Sequence, residues 1–128
     1  MKDKALIIIP TYDERENVAA MAVAVLRQDP ECEILFVDDN SPDGTGAALD
    51  GIAAAEPRVS VLHRPDKEGL GRAYIAGFKW ALERDYAYVC EMDCDFSHDP
   101  AALPSLFKAA REGADLVLGS RYIGGIRV

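Results

Sequence analysis

Five short apolar runs, separated by segments of helical periodicity, leave this chain few folds to choose from. The runs are Ala5–Ile9, Glu33–Val37, Val59–Leu62, Tyr86–Met92 and Leu116–Leu118. They are continuous rather than alternating, as strands covered on both faces must be. In the first intervening segment Val18, Met21, Ala22, Val25 and Leu26 recur at i, i+3, i+4, i+7 and i+8, the spacing of one helical face. A second helix is predicted from about Thr45 to Ala55, with Leu49, Ile52 and Ala53 inward. A third is predicted from about Gly71 to Arg84, with Tyr74, Gly77, Trp80 and Ala81 on one side. A fourth starts after Asp99, a good N-cap, with Pro100 at its first position and Leu103, Leu106 and Phe107 inward. Trp80, Tyr74 and Phe107 read as core aromatics, not as a sugar platform. Strand–helix alternation predicts an α/β fold with a mostly parallel sheet, right-handed crossovers and helices on both faces. The 128 residues fit a single domain with a real core. The closing Gly124-Gly125 reads as the start of a loop with no further element.

Charge narrows the function classes. The net charge of −8 argues against nucleic acid, whose phosphates attract Lys and Arg stripes. The same acidic balance gives no support for a polybasic membrane anchor. The cysteines Cys32, Cys90 and Cys94 are odd in number and form no CxxC, so a disulfide framework is not expected and a reducing cytoplasm fits. Cys90, Cys94 and His98 are evenly spaced, but no second ligand pair follows at zinc-site spacing. The run Ala5–Ile9 is too short for a signal core or membrane span, so it reads as a buried strand.

In open α/β sheets, ligands bind beyond the carboxyl ends of the strands. Four of the predicted strands run there into polar loops: Pro10 to Glu14, Asp38 to Gly44, Asp93 to Ser97, and Gly119 to Tyr122. In extended backbone Asp93 and Asp95 project to the same side. Paired carboxylates repel unless a cation sits between them, and Mg²⁺ or Mn²⁺ accepts such hard oxygen ligands together with substrate phosphates. The Ser97 hydroxyl can add or orient a ligand. Asp38-Asp39 offers either an Asx turn, in a segment rich in turn formers, or hydrogen bonds to a base or ribose. Glu14 can close a capping box with Thr11. In the loop Arg64 to Gly71, glycines permit close backbone approach and Lys67 can reach a phosphate. The dinucleotide and P-loop fingerprints are absent. Arg121 can face the carboxylates or a diphosphate, or form an ordinary surface ion pair. His63 and His98 form no nucleophilic triad with a flagged Ser or Cys.

Taken together, IIIPTYDERENV (residues 7–18), ILFVDDNSPDGTG (34–46), EGLGRAYIAGFKWAL (68–82), EMDCDFSHDP (91–100) and ADLVLGSRYIGG (114–125) resemble inverting GT-A glycosyltransferases. The resemblance is to the polyprenyl-phosphate (dolichyl-phosphate) mannosyltransferases, and it spans nearly the whole chain. It implies a Rossmann-like GT-A sheet and transfer of mannose from GDP-mannose to a polyprenyl phosphate. Pro10, Tyr12, Glu14, Val37 and Asp39 would hold the guanine nucleotide. Asp93 and Asp95 would bind Mg²⁺ or Mn²⁺, with Ser97 at the third metal position, and the Cys94 backbone would lie against the nucleotide sugar. Arg121 would contact the donor or the acceptor phosphate, making Asp95 and Arg121 the candidate catalytic residues. Two positions depart from the family: Asp13 stands where many members have Asn, and Ser97 where some have Gln.

Family members continue well past this point with basic residues and amphipathic or membrane helices. The resemblance therefore implies a chain truncated at its C-terminus, cytoplasmic and, in the full protein, peripheral to the inner face of a membrane. In the implied reaction, charge would build on the departing diphosphate, where a metal held by Asp93 and Asp95 would act as Lewis acid. The acceptor phosphate is already ionised at neutral pH, so no general base is assigned. Three other readings are a different donor such as UDP-glucose, a donor-binding module without turnover, and a receiver domain. The receiver fold places its acidic pair after strand one, where this chain has Pro10-Thr11-Tyr12.

Overall fold

The computed structural model describes residues 4–65, 70–84, 86–94, 100–104, 108, 116–117 and 125–127. The first strand, β1 (Ala5–Thr11), is buried at every position. Ala5, Ile7 and Ile9 join one apolar cluster, and Leu6 and Ile8 join another on the opposite face. This division between two cores explains why the run reads as continuous. Each fully buried aliphatic side chain contributes about 1.5–3 kcal/mol, which offsets the roughly 1–2 kcal/mol of backbone ordering per residue.

The remaining elements are α1 (Val18–Leu26), β2 (Glu33–Asp38), α2 (Thr45–Ala55), β3 (Val59–His63), α3 (Leu70–Leu82), β4 (Tyr88–Glu91), a 3-10 turn (Pro100–Ala102), β5 (Leu116–Val117) and β6 (Gly125–Arg127). The sheet order is β3-β2-β1-β4-β6-β5. The first four strands in that order are mutually parallel.

Helices cover both faces, as the alternation predicts. Val18, Met21, Ala22 and Val25 of α1 are buried against one side with Leu49 of α2, and Leu26, Ile52 and Ala53 are partly buried there. Leu103 joins this cluster. Pro100 does open a helical turn, but of 3-10 form; Asp99, Leu106 and Phe107 lie outside the described residues. On the other side α3 contributes buried Ala73 and Ala81, with Tyr74 and Trp80 partly buried against the same cluster.

At Gly77 the α3 backbone touches the sheet, because a Cβ built there would stand 2.7 Å from Ile8 Cγ2. Gly77→Ala is therefore expected to destabilise the protein by about 1–3 kcal/mol through overpacking. Urea denaturation should show the midpoint falling with the slope unchanged.

The end of the chain corrects one expectation. Gly125–Arg127 is not loop but β6, antiparallel to β4 and to β5. Two antiparallel steps leave β5 running in the direction of β4. The strand is three residues long and lacks a β-branched run, so periodicity had nothing to detect.

Candidate active site

Strand order reverses at β1, with β2 on one side and β4 on the other, and such a switch point is where α/β sheets bind ligands. The pairing makes a physical gap there. β1 stays paired with β2 as far as Thr11↔Asp38, but with β4 only as far as Ile8↔Glu91. Pro10 fits this divergence. The Ile8 carbonyl accepts from Met92 N on the β4 side at 3.0 Å, and the Thr11 carbonyl accepts from Asp39 N on the β2 side at 3.2 Å. Alternation turns the nitrogen of Pro10 toward β4, beyond the last β4 pairing, where no N–H is needed.

The loops after β1 and β2 are tied to each other by the very residues that made them look like turns. Asp38 Oδ1 accepts from Thr11 Oγ1 at 2.8 Å and from Ser41 Oγ at 2.7 Å, while Asp38 Oδ2 accepts from Ser41 N. The Ser41 hydroxyl oxygen accepts from Asp13 N, and Thr45 Oγ1 accepts from Glu14 N. Asp43 accepts from the backbone N of Arg15 and of Thr45 and from the Thr45 hydroxyl. That hydroxyl bond is the main reason the Asp43 carboxyl is held below its ordinary value. Asp13 and Asn40 adopt φ of 55° and 57°, a conformation that Asp and Asn both tolerate. The departure at Asp13 is therefore compatible with the turn.

The capping box expected between Thr11 and Glu14 does not form. Thr11 is the last residue of a strand, its hydroxyl belongs to Asp38, and Glu14 Oε2 accepts instead from Asn17 Nδ2 at 2.8 Å.

The two aspartates of the Asp38-Asp39 pair have different duties. Asp38 organises the turn. Asp39, also buried, faces Arg64, with Arg64 Nη1 3.4 Å from Asp39 Oδ1. Arg64 follows β3 directly, and its backbone N donates to the Asp38 carbonyl at 2.8 Å. It also lines an open cavity of about 480 Å³ with Arg72, Ile75, Ala76 and Lys79. Tyr12 is half-buried on the same edge of the sheet, and Val37 is buried, with its side chain in the α3-side core.

Asp93 stands just past β4, on the other side of the gap. Its Oδ1 accepts from the Tyr74 hydroxyl at 3.1 Å. Burial, and then the charge of Asp93, push the neighbouring Glu91 carboxyl above its ordinary range. Hard oxygen donors so placed suit a divalent cation of the Mg²⁺ or Mn²⁺ type. Among the described residues no three His, Cys, Asp or Glu side chains converge on a metal position. Cys90 and Cys94 are buried, and burial pushes the Cys90 thiol up to about 12; His98, the third of the evenly spaced residues, lies outside the described residues.

The family profile of glycosyl transferase family 2 matches residues 6–127. The chain belongs to that family. Among its family-2 relatives, the polyprenol monophosphomannose synthase of Mycolicibacterium smegmatis is 53% identical over 95% of this chain and 46% of its own length. The undecaprenyl-phosphate mannosyltransferase of Micrococcus luteus is 52% identical over 95% of this chain and 50% of its own. The chain thus spans about half the length of the curated relatives it matches. A Pyrobaculum calidifontis mannosyltransferase solved with GDP-mannose and Mn²⁺ shares the fold. Its TM-score is 0.63 at 23% identity, over 71% of this chain and 27% of that one. The sheet is that of the GT-A glycosyltransferases, as the resemblance implies.

Of the expected site residues, this family-2 fold brings Pro10, Tyr12, Glu14, Val37, Asp39, Asp93 and Cys94 to one edge of the sheet. Lys67, Asp95, Ser97 and Arg121 lie outside the described residues. Two neighbours of the site escaped sequence reasoning. Arg64 was one residue of a loop, and its only signal was its place directly after a strand. Tyr74 reads as core in the sequence, and its partly buried ring agrees, but helical periodicity carries no signal for the hydroxyl bond to Asp93.

Proposed function

We propose that this chain, as one donor-binding domain over residues 1–128, binds GDP-mannose with Mg²⁺ or Mn²⁺. We further propose that the site serves transfer of mannose, with inversion, to a polyprenyl phosphate at a membrane surface. The observation that carries the reading is Asp93 at the mouth of the β1–β4 gap, on the same sheet edge as Tyr12 and Asp39. The names of the relatives, and GDP-mannose with Mn²⁺ in a protein of the same fold, support it.

Asp93 and Asp95 would hold the metal, with Ser97 as third ligand. When bound, the metal supplies Lewis-acid stabilisation to charge building on the departing diphosphate. Asp39 is steadied by Arg64 and, with Tyr12, Glu14 and Pro10, holds the guanine nucleotide. Val37 contributes through its backbone, since its side chain is committed to the core. Lys67 reaches a phosphate, the Cys94 backbone lies against the nucleotide sugar, and Arg121 contacts the donor or acceptor phosphate. The acceptor is an ionised nucleophile at neutral pH, so positioning and electrostatics supply the main contributions. Among the described residues no helix is long and apolar enough to cross a membrane. The site is proposed to work on the cytoplasmic side, peripheral to the membrane that carries the lipid phosphate.

Titration calorimetry in Mn²⁺ tests the donor. GDP-mannose is expected to bind at least about tenfold more tightly than UDP-glucose, because a site that hydrogen-bonds one base leaves groups unpaired against another. Tighter binding of UDP-glucose would move the assignment to another donor. Binding of neither would sink the donor site.

A further inference from the structure

The core reading of Tyr74 accounts for its ring but not for its hydroxyl. Contact between Gly77 and Ile8 fixes how closely α3 lies on β1. Tyr74 precedes Gly77 in the helix, toward the helix end that follows β3 and so toward the carboxyl edge of the sheet. Its ring is packed against the cluster of Leu6, Ile8, Leu35, Val37 and Val89. A phenol anchored in this way has little freedom, so its hydroxyl is a donor at a fixed place. That place is 3.1 Å from Asp93 Oδ1, just past the end of β4.

We infer that Tyr74 is a positioning residue for the metal-binding carboxylate of Asp93. The inference rests on the metal site proposed above. An aspartate after a strand end can rotate about both side-chain torsions. A donor locked by packing holds one oxygen and selects the rotamer in which the carboxylate meets the cation. Groups that orient a metal ligand in this way are commonly worth 10- to 100-fold in metal affinity. Tyr74→Phe removes the donor and keeps the ring in the core, so it separates the hydroxyl from the packing.

The test is Mn²⁺ titration followed by electron paramagnetic resonance, with saturating GDP, on the wild-type chain, Tyr74→Phe and Asp93→Asn. GDP affinity without metal is measured in parallel. Tyr74→Phe is expected to weaken Mn²⁺ binding roughly 10-fold while metal-free GDP affinity stays at the wild-type level. If Asp93→Asn loses Mn²⁺ and Tyr74→Phe keeps the wild-type affinity, the inference is overturned and the metal site stands. If Tyr74→Phe weakens Mn²⁺ and metal-free GDP binding by the same factor, the hydroxyl is merely structural and the inference is also overturned. If Asp93→Asn binds Mn²⁺ as the wild type does, the metal site itself fails, and the inference falls with it.

Discussion

Asp95→Ala is expected to abolish the metal-dependent part of GDP-mannose binding, a loss of more than about 100-fold, since removing a ligand costs more than removing a group that orients one. The reason lies in the i, i+2 spacing of the two carboxylates, which in extended backbone would put both on one side; a divalent cation that loses one of two such hard ligands is held poorly against water. Calorimetry of GDP-mannose with and without Mn²⁺ checks this. In the variant the two titrations should coincide at the weak, metal-free affinity. Undiminished metal-dependent binding would remove Asp95 from the metal site.

Asp39→Ala is expected to cost about 3 kcal/mol of stability and to weaken nucleotide binding as well. Arg64 is only 11% exposed and Asp39 7%, with 3.4 Å between the facing atoms. Removing one partner of a buried pair leaves the other charge in a poor environment, which costs more than the pair itself is worth. Urea denaturation gives the stability change. The double variant Asp39→Ala/Arg64→Met should be more stable than Asp39→Ala alone, because it no longer buries a guanidinium that has lost the Asp39 carboxylate. A loss below about 0.5 kcal/mol for Asp39→Ala, the range of ordinary surface substitutions, would show that the pair does not steady the site.

Much of the fold was legible because it depends on local chemistry repeated along the chain. Ala5–Ile9 could be recognised as a doubly covered strand from its unbroken apolar run, and α2 begins and ends where its pattern does. The helix positions Met21, Val25 and Leu49 follow from periodicity in the same way. β6 could not be read. It is a strand because β4 and β5 offer hydrogen-bonding groups to Gly125–Arg127 on its two sides, and pairing with other segments leaves no trace in its own local composition.

The site divides along the same line. Residue types and spacing were enough to mark Asp38, Asp39 and Asp93 as carboxylates at strand ends, while the family, the expected donor and the choice of Asp39 came from the resemblance. Types and spacing could not tell Asp38 from Asp39, which look alike as neighbours in a turn. Tertiary structure separates them: one carboxylate accepts from Thr11 and Ser41, while the other meets Arg64 beyond β3. Nor could they give Tyr74 its second duty, since a ring in the core and a hydroxyl on Asp93 belong to one side chain bridging a helix and a strand end. Periodicity is short-ranged, so it assigns elements and faces. Partners across the sheet edge depend on how closely α3 and the strand ends approach, and only the packed chain sets those distances.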